Sequence, residues 1–422
     1  MRIIVVSQNY PPEEQNLYHH EFTSSLVNEG HHVTMLTAFP HHGRGRVYDG
    51  YRGKLFQRET LDGVKVIRSW VYAKPGNKLP ARMLTYFSFC VSSLLSGLFA
   101  APRADVVYTS IPPLPLGITG YILARLKRAK FLISIQDIFP QAAVELGMLR
   151  NPRIIRFFER MERWVYQKAD RIVVIADGFK RNLIRKGVPP QKVFVVSNWA
   201  DTDFIKPGPK DNGFRRDLKV GSKFTLIYSG GLTLNSNVAP MIEAADILRT
   251  EPFAFVIIGD GVHKQQLQAL AREKKLTNLQ FLPFQPRERY PEVLLAADMN
   301  LVALNSKATD VSVPSKVYKQ MACGRPVLVI SSESNELAHL IMNGKCGLLV
   351  APDNVEDLVA ALRWAASHPD QLAQMGTSGR TYLVQNHSRE YCVRQIDQLL
   401  GSLVSDTTNC DPGRAMRDEA QF

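Results

Sequence analysis

Two α/β domains are expected here, each a doubly wound, Rossmann-like parallel sheet, facing one another across an interdomain cleft. Three observations carry that expectation. The chain has 422 residues, too many for one ordinary core. Strand-length apolar runs alternate with helical stretches, which implies parallel sheets covered on both faces. The alternation stops and restarts around Asp201–Lys210, where Pro207 and Pro209 interrupt any regular element.

The first half opens with a strand over Ile3–Ser7, then a helix over Glu21–Glu29 that Gly30 closes. A strand follows at His32–Thr37. Asp62-Gly63 turns the chain into the alternating Val64–Trp70. After a long uncharged stretch come strands at Asp105–Ser110, Phe131–Ile135, Arg171–Ile175 and Val193–Ser197. Helices through Gly120–Arg128 and Ile154–Lys168 separate them. The second half repeats the scheme with strands at Phe224–Ser229, Phe253–Ile258, Asn278–Leu282, Met299–Leu304, Pro326–Ile330 and Gly347–Val350. The expected division is an N-terminal domain over 1–203 and a C-terminal domain over 211–383. A C-terminal helix over 384–401 is expected to pack back toward the first domain, and a disordered tail over 402–422, where the chain turns polar and aperiodic.

Apolar residues make up 45% and charged residues 22%, the balance of a packed globular protein. The five cysteines are scattered with no Cys-x-x-Cys pair, against a zinc or dithiol site and in keeping with a reducing cytoplasm. Ile3–Val6 is too short for the apolar core of a signal peptide, so the N-terminus reads as a first strand and not as a secretion signal. The net charge of +13 suits nucleic acid, an anionic membrane or phosphorylated substrates. The lysines and arginines are dispersed and no nucleic-acid module is visible, which disfavours the first. Met83–Ala101 carries no charge over 19 residues, the length of a spanning helix. Thr85 and Ser88, Ser92, Ser93 and Ser96 dilute it. A buried helix is therefore expected first, a helix lying in a membrane interface second, and a true span last.

Ligands of open parallel sheets bind outside the carboxyl ends of the strands. Gly230-Gly231 follows a strand there, and with no Cβ lets backbone approach a diphosphate. Gly259-Asp260-Gly261 is placed alike, but it is not a dinucleotide fingerprint, because Lys264 stands where the third glycine belongs. In the stretch from Ser312 to Val327, Ser315 is positioned to cap a helix whose first turn contains Lys316. A cation there opposes the helix dipole, and a bound diphosphate would remove the conflict. Asp137, after Phe131–Ile135, can bind a sugar hydroxyl, position an acceptor, or equally cap the next turn. Tyr10-Pro11-Pro12-Glu13 occupies the matching place after the first strand, and Pro12 and Glu13 are candidates for acceptor contact. Histidines come as adjacent pairs, His19-His20, His31-His32 and His41-His42, which point apart and make a metal site improbable. Neither a G-x-S-x-G elbow nor a G-x-x-x-x-G-K-[ST] loop occurs, so the usual hydrolase and P-loop signals are missing.

Tyr10-Pro-Pro-Glu13, the run from Gly30 to Pro40, Gln136-Asp-Ile-Phe-Pro140, Ile258-Gly-Asp-Gly261 and the run from Pro314 to Pro326 together resemble the GT-B glycosyltransferases of family 4. They look closest to the WbuB/WcaI-like branch that builds bacterial exopolysaccharides and O-antigens. The resemblance implies a retaining transfer without an obligatory metal. A nucleotide-diphosphate sugar would sit in the C-terminal domain and an acceptor in the N-terminal one. Carried onto this chain, Gly230, Gly231 and Gly261 would line the donor, Lys316 would neutralise its phosphates, and Ser312 and Ser315 would offer donors to phosphate or sugar. Asp137 would be the catalytic carboxylate. Two departures stand out. The family often carries two glutamates where this chain has Val311 and Lys319, so Lys319 would face the donor without accepting from the ribose. An Arg and a Lys often follow the first glycines, where this chain has Leu232-Thr-Leu-Asn-Ser236. The expected acceptor is a saccharide on a polyprenyl diphosphate at the cytoplasmic face of the inner membrane, with peripheral contact to anionic lipid. The missing glutamates motivate an alternative, a catalytically impaired GT-B-like scaffold in a polysaccharide assembly complex. A GT-B-fold epimerase or phosphorylase is the third reading.

Overall fold

The computed structural model describes residues 1–13, 17–41, 45–73, 79–305 and 313–408. The chain divides into two compact units. One takes Met1–Pro140, Arg150–Val196 and the chain from Val393 onward, and the other takes Gln141–Leu149 and Ser197–Cys392.

The first unit is built on eight strands: β1 (Arg2–Val6), β2 (His32–Ala38), β3 (Phe56–Leu61), β4 (Val64–Ser69), β5 (Val106–Ile111), β6 (Lys130–Ile135), β7 (Arg171–Val174) and β8 (Val193–Val195). Their order is β3-β4-β2-β1-β5-β6-β7-β8. All pairings are parallel except the β3–β4 hairpin. Asp62 and Gly63 both take positive φ in its tight turn, 46° and 77°, the backbone that two-residue hairpins demand. The edge strand β3 was not visible in the sequence. Its FQRETL alternates between exposed and half-buried positions and has no apolar inner face. Three helices of this unit matter below: α1 (Tyr18–Asn28), α2 (Leu79–Phe99) and α3 (Leu116–Lys127).

The second unit has six parallel strands, β9 (Phe224–Ser229), β10 (Phe253–Ile258), β11 (Leu279–Leu282), β12 (Met299–Ala303), β13 (Val327–Ile330) and β14 (Gly347–Val350). Their order is β11-β10-β9-β12-β13-β14. Both faces of this sheet are covered. Leu226, Tyr228 and Phe255 point into one core layer, while Ile227 and Val256 point into another. Burial on both faces explains why these strands read as unbroken apolar runs.

The chain enters this second unit at Ser197, ahead of the expected boundary at 203, and leaves it after Cys392. The two ends meet. Ser197 Oγ lies 2.6 Å from His387 Nδ1 and 3.7 Å from Cys392 Sγ. Ala200 bridges Ser388, and Arg389 Nη1 donates to Asp201 Oδ2 at 2.9 Å. The final helix, Arg389–Thr408, continues through Ser402, so the expected tail is helical as far as Thr408. Residues 409–422 lie outside the described residues. Among the described residues no helix is long and apolar enough to cross a membrane.

Candidate active site

In the second sheet the chain moves outward from β9 through β10 to β11, then returns to place β12 on the other side of β9. The gap between β9 and β12 is thus the topological switch point, where such sheets bind ligands at their carboxyl ends. Gly230 leaves β9 there, and the loop after β12 leads to the helix Lys316–Ala322.

The two glycine loops are built against each other. Gly230 N donates to Ile258 O at 2.9 Å and Leu232 N to Asp260 O at 2.9 Å, prolonging the β9–β10 ladder past the strands. A Cβ on Gly259 would fall 1.9 Å from Gly230 O, and one on Gly261 would fall 2.3 Å from Leu232 O. Both have φ near 150°, a region open to glycine. Gly261, expected to face a ligand, is therefore explained by the backbone of its neighbour. Asp260 is turned to local work, accepting from Gly261 N at 2.7 Å and pairing with Lys264 at 3.0 Å, which holds its carboxyl below the usual range.

Gly230 meets something different. Lys316 Nζ lies 3.1 Å from where its Cβ would be and 3.9 Å from the centre of the Tyr228 ring. The missing side chain leaves room for the lysine, and the ring face holds the ammonium by cation–π attraction. Tyr228 OH donates to Gly231 O at 2.7 Å, fixing both ring and loop. Among the described residues no carboxylate pairs with Lys316. It is a half-buried cation at a switch point with an aromatic beneath it.

The other residues expected here are placed less uniformly. Ser315 does not cap its helix: it has helical φ and ψ, its side chain makes no capping bond, and it is exposed. A residue already turning cannot aim its oxygen back at the first N–H groups, so the capping role is corrected. Ser312 and Val311 lie outside the described residues. Lys319 is exposed, with Nζ 5.9 Å from the Tyr290 ring centre. The loop 232–236, which lacks the family's basic residues, is tied to the end of β12 by Asn305, whose N donates to Asn235 O at 2.9 Å and whose Nδ2 donates to Leu234 O at 3.2 Å.

In the first sheet the switch point lies between β1 and β5. The loop after β1 is held from three sides. Tyr10 OH lies 2.8 Å from Thr23 Oγ1, the buried Arg68 donates to Pro11 O, and Glu13 Oε1 accepts from His41 N at 2.7 Å. Glu13 is 4% exposed, so its carboxylate faces inward and supports the loop, whereas Pro12 is exposed. Arg68 is itself oriented by Glu59 Oε1, 2.6 Å from its Nε. Neither Arg68 nor His41 had been expected to matter. The available signal was an arginine among the apolar residues of β4.

Asp137 follows β6, next to β5. Crowding by surrounding protein pushes its carboxyl up to about 6. Its side chain is nonetheless exposed, so water tempers that shift. Two of the paired histidines are tied into the first unit. His19 is buried against Ser7 Oγ at 3.3 Å and depressed to about 4 by burial, and His31 Nε2 meets Asp397 Oδ1 at 2.6 Å.

Comparison with known proteins agrees with this architecture. Residues 15–199 match the glycosyl transferase 4-like domain and residues 210–382 match glycosyl transferases group 1. The chain is 29% identical over 406 residues to the protein named colanic acid biosynthesis glycosyl transferase WcaI of Escherichia coli K12, covering 94% of this chain and 98% of that one. It is 26% identical over 310 residues to the glycosyltransferase named WbjE of Pseudomonas aeruginosa, covering 73% and 77%. Among solved structures, sucrose-phosphate synthase from Thermosynechococcus elongatus superposes with a TM-score of 0.76 at 16% identity, covering 96% of this chain and 99% of that one. Anabaena HepE in complex with UDP gives 0.70 at 14%, covering 95% and 100%. The two family domains follow one another in series on the two sheets described above, and the chain belongs to the family 4 glycosyltransferases of GT-B fold.

Proposed function

We propose that this chain transfers a sugar, with retention at the anomeric carbon and without a metal, from a nucleotide-diphosphate donor held in the second unit. The observation that carries the proposal is Lys316, a cation with no carboxylate partner among the described residues, seated over Gly230 and Tyr228 at the β9/β12 switch point. When the bond from the anomeric carbon to the diphosphate breaks, negative charge grows on the departing phosphate. A fixed ammonium in that position stabilises the growing charge without having to reorganise. Gly230 and Gly231 let the diphosphate approach the backbone. HepE, which shares the fold, has been solved with UDP and with UDP-glucose, which favours a nucleotide-sugar donor here.

On this reading the acceptor is a saccharide on a polyprenyl diphosphate, and the product enters surface polysaccharide or O-antigen. WcaI is named for colanic acid biosynthesis, and WaaG, similar in fold with a TM-score of 0.67, is described as a glycosyltransferase involved in lipopolysaccharide biosynthesis. Asp137 receives or orients an acceptor hydroxyl, and Pro12 shapes the loop beside it. The protein works at the cytoplasmic face of the inner membrane, where anionic lipid attracts its positive charge.

The test is a thermal-shift screen with UDP, GDP, dTDP and their sugars. One nucleotide should raise the melting temperature of the wild type and fail to do so for Lys316→Ala. If none stabilises the chain, the scaffold reading gains and the donor site is withdrawn.

A further inference from the structure

Helix α2 is apolar on both of its faces. Its inward face buries Phe89 in the core and otherwise packs closely through small and hydroxylated side chains. Ser93 is buried, Ser96 Oγ lies 2.6 Å from Ser69 Oγ, and Cys90 O accepts from Thr119 Oγ1 at 3.1 Å. Gly97 lies so close to α3 and β2 that a Cβ there would fall 2.8 Å from Leu123 and 2.9 Å from Leu36. Its outward face carries Leu84, Phe87, Val91, Leu95 and Phe99, exposed by 49%, 43%, 61%, 52% and 84%. Steps of three and four residues put all five on one stripe. Trp70 extends this surface. Its carbonyl accepts from Ser92 Oγ on α2, and the residue is 43% exposed. Ordinary solvent-facing helices are patterned the other way round, and a contiguous apolar face of this kind marks an interaction site.

Charge identifies the occupant. From Gly63 to Gln136 the chain holds ten lysines and arginines and a single acid, Asp105. That acid is already tied to Arg2 at 2.7 Å. Three cations gather where α2 ends. Arg58 Nη2 donates to Ala100 O, Lys127 Nζ donates to Ala101 O at 2.9 Å, and Arg103 is exposed beside them. A protein partner that matched the apolar stripe would also need acids arranged against these cations. An anionic bilayer supplies both requirements at once, acyl chains for the stripe and headgroups for its rim.

We propose that the outward face of α2, with Trp70 beside it and Arg58, Arg103 and Lys127 at its end, is the surface by which this protein lies on anionic membrane. The helix lies in the interface plane and does not cross. The proposal gives a location to the membrane contact in the functional reading above, but it stands on α2 and the residues around it and is independent of the donor and acceptor assignments.

The experiment uses the full chain with no donor or acceptor present, so that its result is separate from the transferase reading. Protein is floated with vesicles of phosphatidylcholine alone or mixed with phosphatidylglycerol, and tryptophan emission is recorded. The wild type should float with the mixed vesicles, lose binding as salt is raised, and show a blue shift that Trp70→Phe removes. The double variant Val91→Glu, Leu95→Glu should bind at least about tenfold more weakly. Met342→Glu, an equally exposed apolar position in the second unit, should bind as the wild type does. Should the double glutamate variant misfold, Val91→Ser with Leu95→Ser takes its place. The proposal is overturned if the wild type ignores anionic vesicles, or if the folded stripe variants float unchanged. It is also overturned if sedimentation shows a wild-type dimer that the stripe variants convert to monomer, since the face would then cover a second copy.

Discussion

The loop after β1 and the loop after β9 occupy the same topological place in their two sheets, yet they use their polar groups in opposite ways. The first is tied to its own unit by side chains: Glu13 to the His41 amide, Arg68 to the Pro11 carbonyl, Tyr10 to Thr23. The second is braced chiefly backbone to backbone, glycine against carbonyl, with only neutral side chains (Tyr228 on Gly231 O, Asn305 on Leu234 O) added, and a lysine from another element stands over it. A loop with its charges spent inward presents shape and suits a neutral, hydroxylated partner. A loop made of bare backbone beneath a cation suits a phosphate. Under the function proposed above, the first loop would serve the acceptor and the second the donor, and the contrast can be broken at several points.

The largest effect should come from Gly259→Ala or Gly261→Ala. Each Cβ would drive into a carbonyl oxygen of the facing loop at under 2.5 Å, at a φ that alanine avoids. We expect a loss of about 3 kcal/mol or more in stability, read by denaturant unfolding. Gly231→Ala meets only the Thr233 methyl at 3.1 Å and should cost far less. If the two classes unfold alike, the backbone brace is unimportant. Next is Lys316→Ala, which should lower kcat/KM by roughly a hundredfold to a thousandfold while leaving the unfolding midpoint near that of the wild type. Lys319→Ala, three residues further along the helix, should change kcat/KM by less than about threefold if only the first lysine meets the diphosphate. Equal effects would merge the two lysines into one role.

On the other side of the comparison, Glu13→Ala removes the partner of a buried amide and should cost about 1–3 kcal/mol. Activity should fall mainly through the KM for acceptor. Glu13→Gln keeps an accepting oxygen and should recover most of both losses. An acceptor KM that moves equally in Ala and Gln would mean that the carboxylate touches substrate after all.

The smallest effects are in pH. His19 is buried and His387 half-buried, and burial depresses both to about 4. A depressed histidine contributes stability above its unfolded value near 6.5, and that contribution is lost as pH falls toward 4. Asp137 runs the other way. Its raised carboxyl, at about 6, contributes stability below its unfolded value, and the contribution is lost as pH rises toward 6. Because Asp137 is exposed, the histidines should dominate, and the midpoint of unfolding should fall on acidification below pH 6.5. In kinetics, kcat/KM should climb through about pH 6 in the wild type and lose that limb in Asp137→Asn. An unchanged profile would take Asp137 out of the acceptor chemistry.

Much of the scaffold was legible in the sequence because, the β3–β4 hairpin apart, both sheets are parallel and their central strands are buried on two faces. Strands such as Phe224–Ser229, Phe253–Ile258 and Gly347–Val350 read as apolar runs with their observed bounds. What escaped was set by long-range partners. The edge strand Phe56–Leu61 is specified by pairing with β4 rather than by an apolar face of its own. Ser315 looks like a cap in one dimension and is already helical in three. Glu13, which reads as a loop carboxylate free to meet an acceptor, is drawn inward by the amide of a histidine 28 residues away. The place of Lys316 at the start of a helix was legible for a different reason: it follows from a short local run, and the conflict of a cation with the dipole there is local too.

The meeting of Ser197 with His387 and Cys392 has a consequence for how such a chain can be rebuilt. A stretch of nearly two hundred residues begins and ends at one spot, so in construction it is an inserted cassette, joined to its host by two neighbouring seams. Exchanging Ser197–Cys392 for the equivalent span of a relative would cut the chain at adjacent points and carry β9, β12 and Lys316 across together. Only Gln141–Leu149, grouped with the cassette but encoded far upstream, would have to be grafted separately. If the second unit holds the donor, as proposed above, donor choice would be portable in a way that a site dispersed along the host is not.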